Sequence, residues 1–371
     1  MKAGVNRRLF ELMEQATAGG VFPGAVLLVE CAGRLFHSSA HGRLGYYPEA
    51  PAVTPDTVYD LASLTKPLVT ASVALVLEQA GRLPLDQPVG RWLGWHRPVS
   101  ELTCRQLLRH SSGLCAWRPY YQEVAAAAPR AVSRAQGLWL MRKLVAAEKP
   151  LFAPDQKELY SDLGYMLLHW ILEEAGGATL TVLFRRLVLH PLGLGGLFFI
   201  DLKRTRRPPD ARQAPIAPTE LCPWRGRLLE GEVHDDNAYV MGGVSGHAGL
   251  FGSAPAVLQL AWAWLQSWAG ERRGPFTPDG VRRFWEKSPL AGASHTMGFD
   301  TPSGENSQAG RLMGPRTVGH TGFTGTSFWI DPDRRLVVVM LSNRVHPRRD
   351  NLAIRDFRPR LHQAVVEEVD R

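Results

Sequence analysis

The sequence LASLTKP at residues 61–67 carries the strongest structural signal of this 371-residue chain. Positions three apart lie on one face of a helix, so Ser63 Oγ and the Lys66 ammonium are predicted to be neighbours. Pro67 has no N–H and is tolerated best in the first turn of a helix, which places the helix start near Ser63. The pattern therefore predicts a helix over 64–80 with a serine at its entrance and a lysine one turn further on.

The surroundings of this serine fit a nucleophile. The first turn of a helix leaves backbone N–H groups free to bind an oxyanion, at the positive end of the helix dipole. Partial desolvation of Lys66 by its apolar sequence neighbours would lower the pKa of the lysine and let it act as a base toward Ser63. The alternative is a helix-capping serine beside a surface lysine, because Ser-x-x-Lys alone occurs often by chance.

A second segment, FAPDQKELYSDLGY at residues 152–165, places Tyr160 at the entry of another predicted helix. A phenol can relay a proton when a nearby cation favours its phenolate form. Asp162 offers a carboxylate to a neighbouring ammonium. Both residues also have ordinary structural interpretations, the tyrosine in packing and the aspartate as a first-turn acid.

A third segment, VGHTGFTGT at residues 318–326, precedes an apolar strand. Glycines in a strand let another backbone or a ligand approach closely. His320 and Thr321 would offer a cation or donor and a hydroxyl to an acyl substrate, and the Phe323 amide is a candidate oxyanion donor. A hairpin bulge with a hydrogen-bonded histidine is the alternative.

Strand signals lie at the two ends of the chain and helix signals lie between them. The predicted strands are 24–30, 34–38, 326–330 and 336–341. The predicted helices are 5–17, 64–80, 103–110, 133–147, 161–175, 179–189, 255–268 and 358–369, the last with Pro359 in its first turn. This order predicts an α/β (α+β) fold: a discontinuous sheet domain, 1–62 and 236–371, and an inserted mainly helical domain, 63–235, which includes an irregular segment over 201–235.

The composition describes a folded globular protein and excludes several functions. The chain has 45% hydrophobic residues and 43 Lys+Arg against 35 Asp+Glu, a net charge of +8. The basic residues are dispersed, and the densest basic stretch, 203–207, is followed by two prolines and reads as a solvated loop, so a nucleic-acid partner is not expected. The four cysteines show no metal or disulfide spacing, and His234, Asp235 and Asp236 are a weak metal signal, so we expect reduced thiols, no metal and no cofactor.

No apolar run is long enough for a membrane span, and the first twenty residues lack the apolar region of a signal peptide. We therefore expect a cytoplasmic protein, or a periplasmic one only if a leader is missing from this sequence. The partner would be a small-molecule or peptide substrate. The sequence leaves the oligomeric state unknown.

Together the three segments resemble the serine β-lactamases and penicillin-binding proteins, in the branch of class C β-lactamases, D-alanyl-D-alanine peptidases and carboxylesterases. The order Ser-x-x-Lys, Tyr-x-Asp, His-Thr-Gly carries the likeness, with 97 residues from Ser63 to Tyr160 and 160 more to His320. Segments 102–114, 218–227, 231–238 and 246–251 are similar to the β-lactamase-related hydrolases around penicillin-binding protein 4B. The resemblance implies a β-lactamase/transpeptidase-like fold, with an antiparallel sheet flanked by N- and C-terminal helices plus an inserted all-helical domain.

The resemblance implies Ser63 as the acyl-accepting nucleophile and Lys66 as its base or proton shuttle. Tyr160 would share the acid and base work, and His320 would assist the leaving group or bind substrate. Backbone amides of Ser63 and Phe323 would form the oxyanion hole. The other implied binding residues are Asp162, Thr321 and Gly322.

Two positions depart from the family pattern. Many members have Asn in place of Asp162, and the extra negative charge would raise the pKa of Lys66 and shift the base role toward Tyr160. Many have Lys in place of His320. We expect the charge of His320 to depend on pH near neutrality, and we expect the imidazole to bind acidic substrates less well than a lysine would. These differences favour a peptidase or esterase over an efficient β-lactamase.

The sequence therefore predicts a serine acyl hydrolase that forms an acyl-enzyme with a small ester, an amide or a D-Ala-type peptide, in a cleft between sheet and helices. Esterase or amidase activity is the preferred form. The alternative is a catalytically weak protein that keeps the scaffold to bind a peptide or peptidoglycan fragment.

Overall fold

The computed structural model describes residues 4–94, 98–127, 134–202, 214–304 and 307–371. The predicted basic loop 203–207 and the first residue of the helix predicted over 133–147 lie outside these residues. The helices are α1 (Arg7–Ala18), α2 (Ser72–Gln79), α3 (Gly90–Leu93), α4 (Cys104–Leu108), α5 (Tyr120–Ala127), α6 (Arg134–Ala147), α7 (Asp162–Gly176), α8 (Leu180–Phe184), α9 (His190–Leu192), α10 (Asp236–Val240), α11 (Ala254–Trp268), α12 (Pro278–Phe284) and α13 (Ile354–Val369). The strands are β1 (Gly24–Cys31), β2 (Arg34–Gly42), β3 (Tyr59–Asp60), β4 (Leu197–Phe199), β5 (Leu221–Cys222), β6 (Arg227–Leu228), β7 (Leu250–Gly252), β8 (Val318–Thr321), β9 (Ser327–Asp331) and β10 (Leu336–Ser342).

A five-stranded antiparallel sheet in the order β2-β1-β10-β9-β8 joins the two ends of the chain. β1 and β10 are central and apolar on both faces, because helices cover the sheet on both sides. Leu27 and Val29 of β1 pack with α1 and α13, whereas Val26 and Leu28 pack with the cluster that contains α11. This alternation follows from the two-residue period of a strand. The predicted sheet with flanking terminal helices is confirmed.

Helices fill most of the chain between β2 and β8. The long helix α7 is buried along most of its length within the larger apolar cluster. A small antiparallel sheet, β3-β7-β4, lies beside them and pairs a strand from the predicted helical region with one from the later part of the chain. The proposed division into 1–62 with 236–371 and 63–235 stays a prediction.

The helix predicted over 64–80 is less regular than expected. It consists of a 3-10 turn at Ala62–Leu64, a π-helical segment at Lys66–Ala71, and then α2. Pro67 has no N–H to donate to the Ser63 carbonyl, so the ordinary helical hydrogen bond cannot form at this point. π-helical segments of this kind often occur at functional sites.

The last helix also differs from its prediction. It begins at Ile354 rather than near 358, so Pro359 lies inside the helix and not in its first turn. Pro359 leaves the Arg355 carbonyl without its helical donor. The Gln308 side chain donates to that carbonyl at 3.1 Å, which satisfies the oxygen and lets the helix continue.

Two further sequence expectations can be compared with the structure. The four cysteines form no disulfide, as expected. Within the described ranges, none of the helices combines the length and the apolar character required to cross a bilayer.

Gly319 in β8 allows the edge of the sheet to pack closely. A Cβ atom at this position would clash with the Phe328 carbonyl oxygen and the Trp329 ring. We expect Gly319→Ala to lower the free energy of unfolding by about 1–3 kcal/mol through overpacking. Urea denaturation measures this, with Gly195→Ala as the control, because an added methyl there would meet nothing within 4 Å. Equal stability of the two variants would contradict the prediction.

Candidate active site

Ser63 lies partly exposed in the 3-10 turn at the entrance of the irregular helix. Ala62 before it has a positive φ of 48°, an uncommon conformation for a residue with a side chain. The buried carboxylate of Asp60 holds this conformation by accepting from Ala62 N at 2.8 Å. Strained backbone of this kind persists where the surroundings fix it, and it sets the direction of the Ser63 side chain.

Lys66 is fully buried, and its ammonium lies at the centre of the site. Nζ donates to Ser63 Oγ at 3.0 Å and to the His247 carbonyl at 3.2 Å. Its third contact is the carboxylate of Asp162, with Nζ to Oδ1 at 2.7 Å. Burial is the largest single influence on the pKa of Lys66 and acts to lower it, but Asp162 and Tyr160 together outweigh burial and the pKa is raised. This direction agrees with the raised lysine pKa expected from Asp162. The lowered pKa expected from desolvation alone is wrong, because the partners of the buried ammonium outweigh its loss of hydration.

Tyr160 joins the same cluster from the segment before α7. Its ring centroid is 4.8 Å from Lys66 Nζ, and its hydroxyl interacts with the side chains of Lys66 and Ser63. Burial raises the pKa of Tyr160, and the Lys66 charge opposes this. Asp162 follows in the first turn of α7, whose N-cap is Ser161.

His320 lies on β8 facing Tyr160, with 5.9 Å between the ring centroids. Its Nδ1 is 2.8 Å from the Thr321 carbonyl, which can only accept, so Nδ1 carries the proton. Nε2 is then a bare acceptor, and it is buried with no partner among the residues that the structure describes. Burial first, and then the Lys66 charge, hold the pKa of His320 well below its usual value. The expectation that His320 titrates near neutrality is therefore wrong, because the imidazole is desolvated next to a cation.

The turn after β8 contacts the segment that carries the nucleophile. A Cβ on Gly322 would lie 2.7 Å from the Leu61 carbonyl oxygen, so only glycine allows this approach. Thr326 Oγ1 donates to the same Leu61 oxygen at 3.1 Å, while Thr321 is partly exposed at the end of β8. Gly322 and the amide of Phe323 are thereby held close to Ser63.

The two amides expected to bind an oxyanion are both available. Among the residues that the structure describes, no protein acceptor takes the N–H of Phe323. The N–H of Ser63 lies in the first turn of its helix, where amides lack an intrahelical partner. These donors are free to bind a negative oxygen.

Sequence reasoning did not assign His247 and Asp235 to the site. His247 Nε2 bonds Asp235 Oδ1 at 2.9 Å, and its Nδ1 lies 2.7 Å from Ser245 Oγ. The ring is therefore fixed, and with it the carbonyl that accepts from Lys66. Asp235 also caps α10 by accepting from Ala238 N at 2.7 Å.

Asp162, Asp235 and His247 each place a potential metal-ligand atom within 4.8 Å of the others. A positive charge is already present there, because the Lys66 ammonium contacts both Asp162 and the His247 carbonyl. The other two ligand candidates, the His247 ring and the Asp235 carboxylate, are hydrogen-bonded to each other. Metal independence stays a prediction, with lysine as the cation of this cluster.

Two further histidines border Tyr160. The buried ring of His110 lies 4.5 Å from the Tyr160 ring, and its Nδ1 accepts from Ser161 N at 3.0 Å. His295 lies 5.6 Å from the same ring and pairs with Glu158 at 2.8 Å. Segment 102–114 gave a signal for His110 through its family likeness, whereas no motif marked His295.

The structure therefore brings together Ser63, Lys66, Tyr160, Asp162 and His320, which the sequence places up to 257 positions apart. The hydroxyl contacts an amine, the amine contacts a carboxylate, and a phenol and a neutral imidazole lie beside them. This arrangement provides a nucleophile, groups that transfer protons, and oxyanion donors.

The family comparison agrees with this geometry. A family model described as Beta-lactamase matches residues 9–359. An Escherichia coli (strain K12) protein named "Putative D-alanyl-D-alanine carboxypeptidase" is 30% identical over 377 residues, covering 93% of this chain and 84% of its own length. A Salmonella typhimurium protein of the same name is 31% identical over 317 residues, covering 79% of this chain and 71% of its own.

Solved structures show the same fold. One is described as "EstCE1, a hydrolase with promiscuous acyltransferase activity", with a TM-score of 0.70, 24% identity, and coverage of 95% of this chain and 98% of that one. Another is the octameric penicillin-binding protein homologue from Pyrococcus abyssi, with a TM-score of 0.68, 20% identity, and coverage of 91% and 73%. With a family match along almost its whole length and relatives that align over most of it, this chain belongs to the beta-lactamase family and is a serine acyl hydrolase.

Proposed function

We propose that the protein hydrolyses uncharged carboxylic esters, and simple amides more slowly, through an acyl-enzyme on Ser63. The observation that carries this proposal is the contact of Ser63 Oγ with a fully buried lysine whose other partner is a carboxylate. Tyr160 beside both groups supplies a second proton-transfer site. A catalytically weak binding protein is not favoured, since such a protein has no need for these buried groups.

In acylation, Ser63 Oγ attacks the substrate carbonyl carbon and its proton goes to Lys66. Lys66 starts as an ammonium, so it passes one of its protons to Asp162 in the same step. The 2.7 Å contact between Nζ and Oδ1 is short enough for this transfer. Lys66 is therefore a shuttle in this proposal, and Asp162 is the group that receives the proton.

The negative oxygen of the tetrahedral intermediate is bound by the N–H groups of Ser63 and Phe323. Tyr160 then donates its proton to the leaving alcohol or amine and regains one from Lys66. In deacylation a water attacks the acyl-enzyme and its proton goes to Lys66. Tyr160 protonates Ser63 Oγ as the acyl bond breaks and regains a proton from Lys66, and Asp162 then returns its proton to Lys66. The net reaction consumes one water and releases an acid and an alcohol or amine.

The charge of the site favours a substrate without a carboxylate near the leaving group. His320 is neutral and offers only an unprotonated Nε2 at that place. The Lys66 ammonium is already paired with Asp162, and the Asp235 carboxylate lies close by. An acidic substrate group would meet two carboxylates and no free cation from these residues.

An aromatic rim offers contacts to an apolar substrate group. Trp117 follows Ala116, whose carbonyl accepts from Asp162 N at 2.9 Å, and its side chain is 46% exposed. Tyr121 and Trp224 continue the rim, with 4.7 Å between their ring centroids. The exposed faces of Trp117 and Trp224 and the half-buried ring of Tyr121 fit an acyl or aryl group better than a charged peptide.

A second candidate is a D-alanyl-D-alanine peptidase, which the names of the 30–31% identical relatives favour. The substrate charge separates the two candidates, because a peptide of that kind ends in a carboxylate. A cytoplasmic location stays a prediction.

Removal of the nucleophile should abolish turnover. We expect Ser63→Ala to lose at least about 10⁴-fold in kcat toward p-nitrophenyl butyrate, because the other groups act only through Oγ. Labelling by a fluorescent alkylphosphonate should disappear as well. The matched control is Ser38→Ala on β2, at the opposite edge of the sheet from β8. Continued labelling of Ser63→Ala would contradict the proposal.

A lysine at position 320 should change the substrate preference. We expect His320→Lys to raise kcat/KM for D-Ala-D-Ala peptides relative to p-nitrophenyl butyrate by roughly 10–100-fold, since a charge-assisted hydrogen bond contributes about 1.5–3 kcal/mol. His320→Gln, which stays neutral, should keep the preference for the ester. A wild-type enzyme that already prefers the peptide would instead support the second candidate.

Removal of the Asp162 charge should shift the pH profile. Without that carboxylate, the strongest of the influences that raise the pKa of Lys66 is gone, although Tyr160 still raises it. An amide cannot receive the proton, so Lys66 must itself lose a proton before it can accept one from Ser63. We expect Asp162→Asn to move the acid limb of the kcat/KM profile to higher pH, because activity then requires the neutral lysine. Asp86→Asn, which removes an exposed carboxylate paired with Arg105, is the control and should leave the limb in place. An unmoved limb in Asp162→Asn would show that Asp162 does not receive the proton from Lys66.

A further inference from the structure

The turn at Gly322–Thr326, between β8 and β9, is held by two arginines from outside it. Arg358 on α13 is buried, and its Nη2 donates to the Gly322 carbonyl at 3.1 Å and to the Thr326 carbonyl at 2.8 Å. Arg344, just after β10, donates from Nε to the Phe323 carbonyl at 2.8 Å. Three carbonyls of one short turn therefore accept from guanidinium groups.

These guanidiniums are unusual because neither forms an ion pair within the described residues, although the charge of Glu220 acts on Arg344 without such a contact. Neither Arg344 nor Arg358 forms an ion pair with any residue in the described part of the chain, and both side chains are nearly inaccessible to solvent. Burial lowers the pKa of Arg358 to about 9 and that of Arg344 to about 10, and each also lies near a second arginine. Both remain positive at neutral pH. Burying a charge without a paired counter-charge costs desolvation free energy, so the position of these arginines behind the active site requires a physical explanation.

The geometry of the peptide group supplies that reason. The Gly322 carbonyl and the Phe323 N–H belong to one planar trans peptide unit, so they point in opposite directions. A donor fixed on the carbonyl side therefore fixes the direction of the N–H on the other side. Arg358 is that donor, and the Phe323 N–H is left without an acceptor in the described ranges of the chain.

A cation on the carbonyl also strengthens the N–H as a donor. A charge-assisted hydrogen bond polarises the peptide group, and hydrogen bonds in series reinforce one another. The field of the guanidinium has the sign that stabilises a negative oxygen on the far side of the same peptide. Water is excluded from this region by burial, so the field is weakly screened.

We propose that Arg358, supported by Arg344, is a positioning residue that directs and polarises the Phe323 N–H toward the oxyanion of the reaction. This inference rests on the proposed function, because it requires acylation of Ser63 with Phe323 N–H as an oxyanion donor. The arginines touch no substrate. They act through the peptide of the turn, and their contribution appears only when negative charge develops on the substrate oxygen.

The test compares Arg358→Met with the wild type under conditions that separate catalysis from folding. The concentration of competent sites is measured by titration with an alkylphosphonate, and kcat for p-nitrophenyl butyrate is expressed per titrated site. Loss of a whole oxyanion donor costs roughly 10²–10³ in kcat, so misdirection of one donor should lower kcat by about 10–100-fold with KM little changed. The Ki of a boronic acid, which places a negative tetrahedral oxygen in the same spot, should rise by a similar factor.

The control is Arg334→Met, which removes a guanidinium that bridges Asp331 and Asp370 at the other end of β9. It should lower thermal stability without changing kcat per titrated site. Arg358→Lys keeps the positive charge, but the ammonium cannot donate to both carbonyls as the guanidinium does. Its kcat per titrated site and its Ki for the boronic acid should therefore lie between those of wild type and Arg358→Met. If Arg358→Met does not fold, Arg358→Lys alone decides, with the same two measurements.

An unchanged kcat per titrated site in the folded Arg358 variants would overturn the inference. So would a lower kcat with an unchanged boronic acid Ki, because the loss would then come from elsewhere. Failure of the proposed function is a different result: wild-type protein would neither hydrolyse the ester nor be labelled at Ser63.

Discussion

The ion pair between Lys66 and Asp162 is the constraint on which the site depends. A fully buried ammonium has lost its hydration, and only a close carboxylate and further acceptors make that position tolerable. Asp162 supplies the charge and the His247 carbonyl supplies a second acceptor. Lys66 then has one donor left for Ser63 Oγ, so the requirement to satisfy the lysine also orients the nucleophile.

The pair also explains why distant parts of the chain must meet. Asp162 comes from the first turn of α7, His247 from the loop before β7, and Lys66 from the π-helical segment after Ser63. Loss of any one partner would leave a buried polar group unpaired, which costs more than the net gain from an ordinary hydrogen bond. The active site is in this sense part of the core, and the catalytic geometry is maintained by the same interactions that keep the lysine buried.

The charge arrangement of the cleft differs from that of the chain as a whole. The chain carries a net +8, yet His320 is neutral and Lys66 is neutralised by its partner. Behind the Gly322–Thr326 turn lie instead the positive charges of Arg344 and Arg358, neither of which forms an ion pair within the described residues. Such a cleft binds an anionic substrate poorly but stabilises the negative charge that develops on the substrate oxygen in the transition state. Catalysis depends on this stronger binding of the transition state than of the substrate.

The sequence by itself determined the local features of this protein. Helical spacing placed Lys66 beside Ser63, strand patterns at both ends gave the antiparallel sheet, and the three motifs identified the family, because these properties depend on residues close in the chain or on recurring patterns. Only the tertiary structure decided the protonation of His320, since its low pKa comes from burial next to Lys66. The same holds for the Asp235–His247 bond and for Arg358 behind Gly322, which carry no local pattern. Hydrogen-bond partners and desolvation are set by which elements pack together, and one sequence read along its length does not contain those distances.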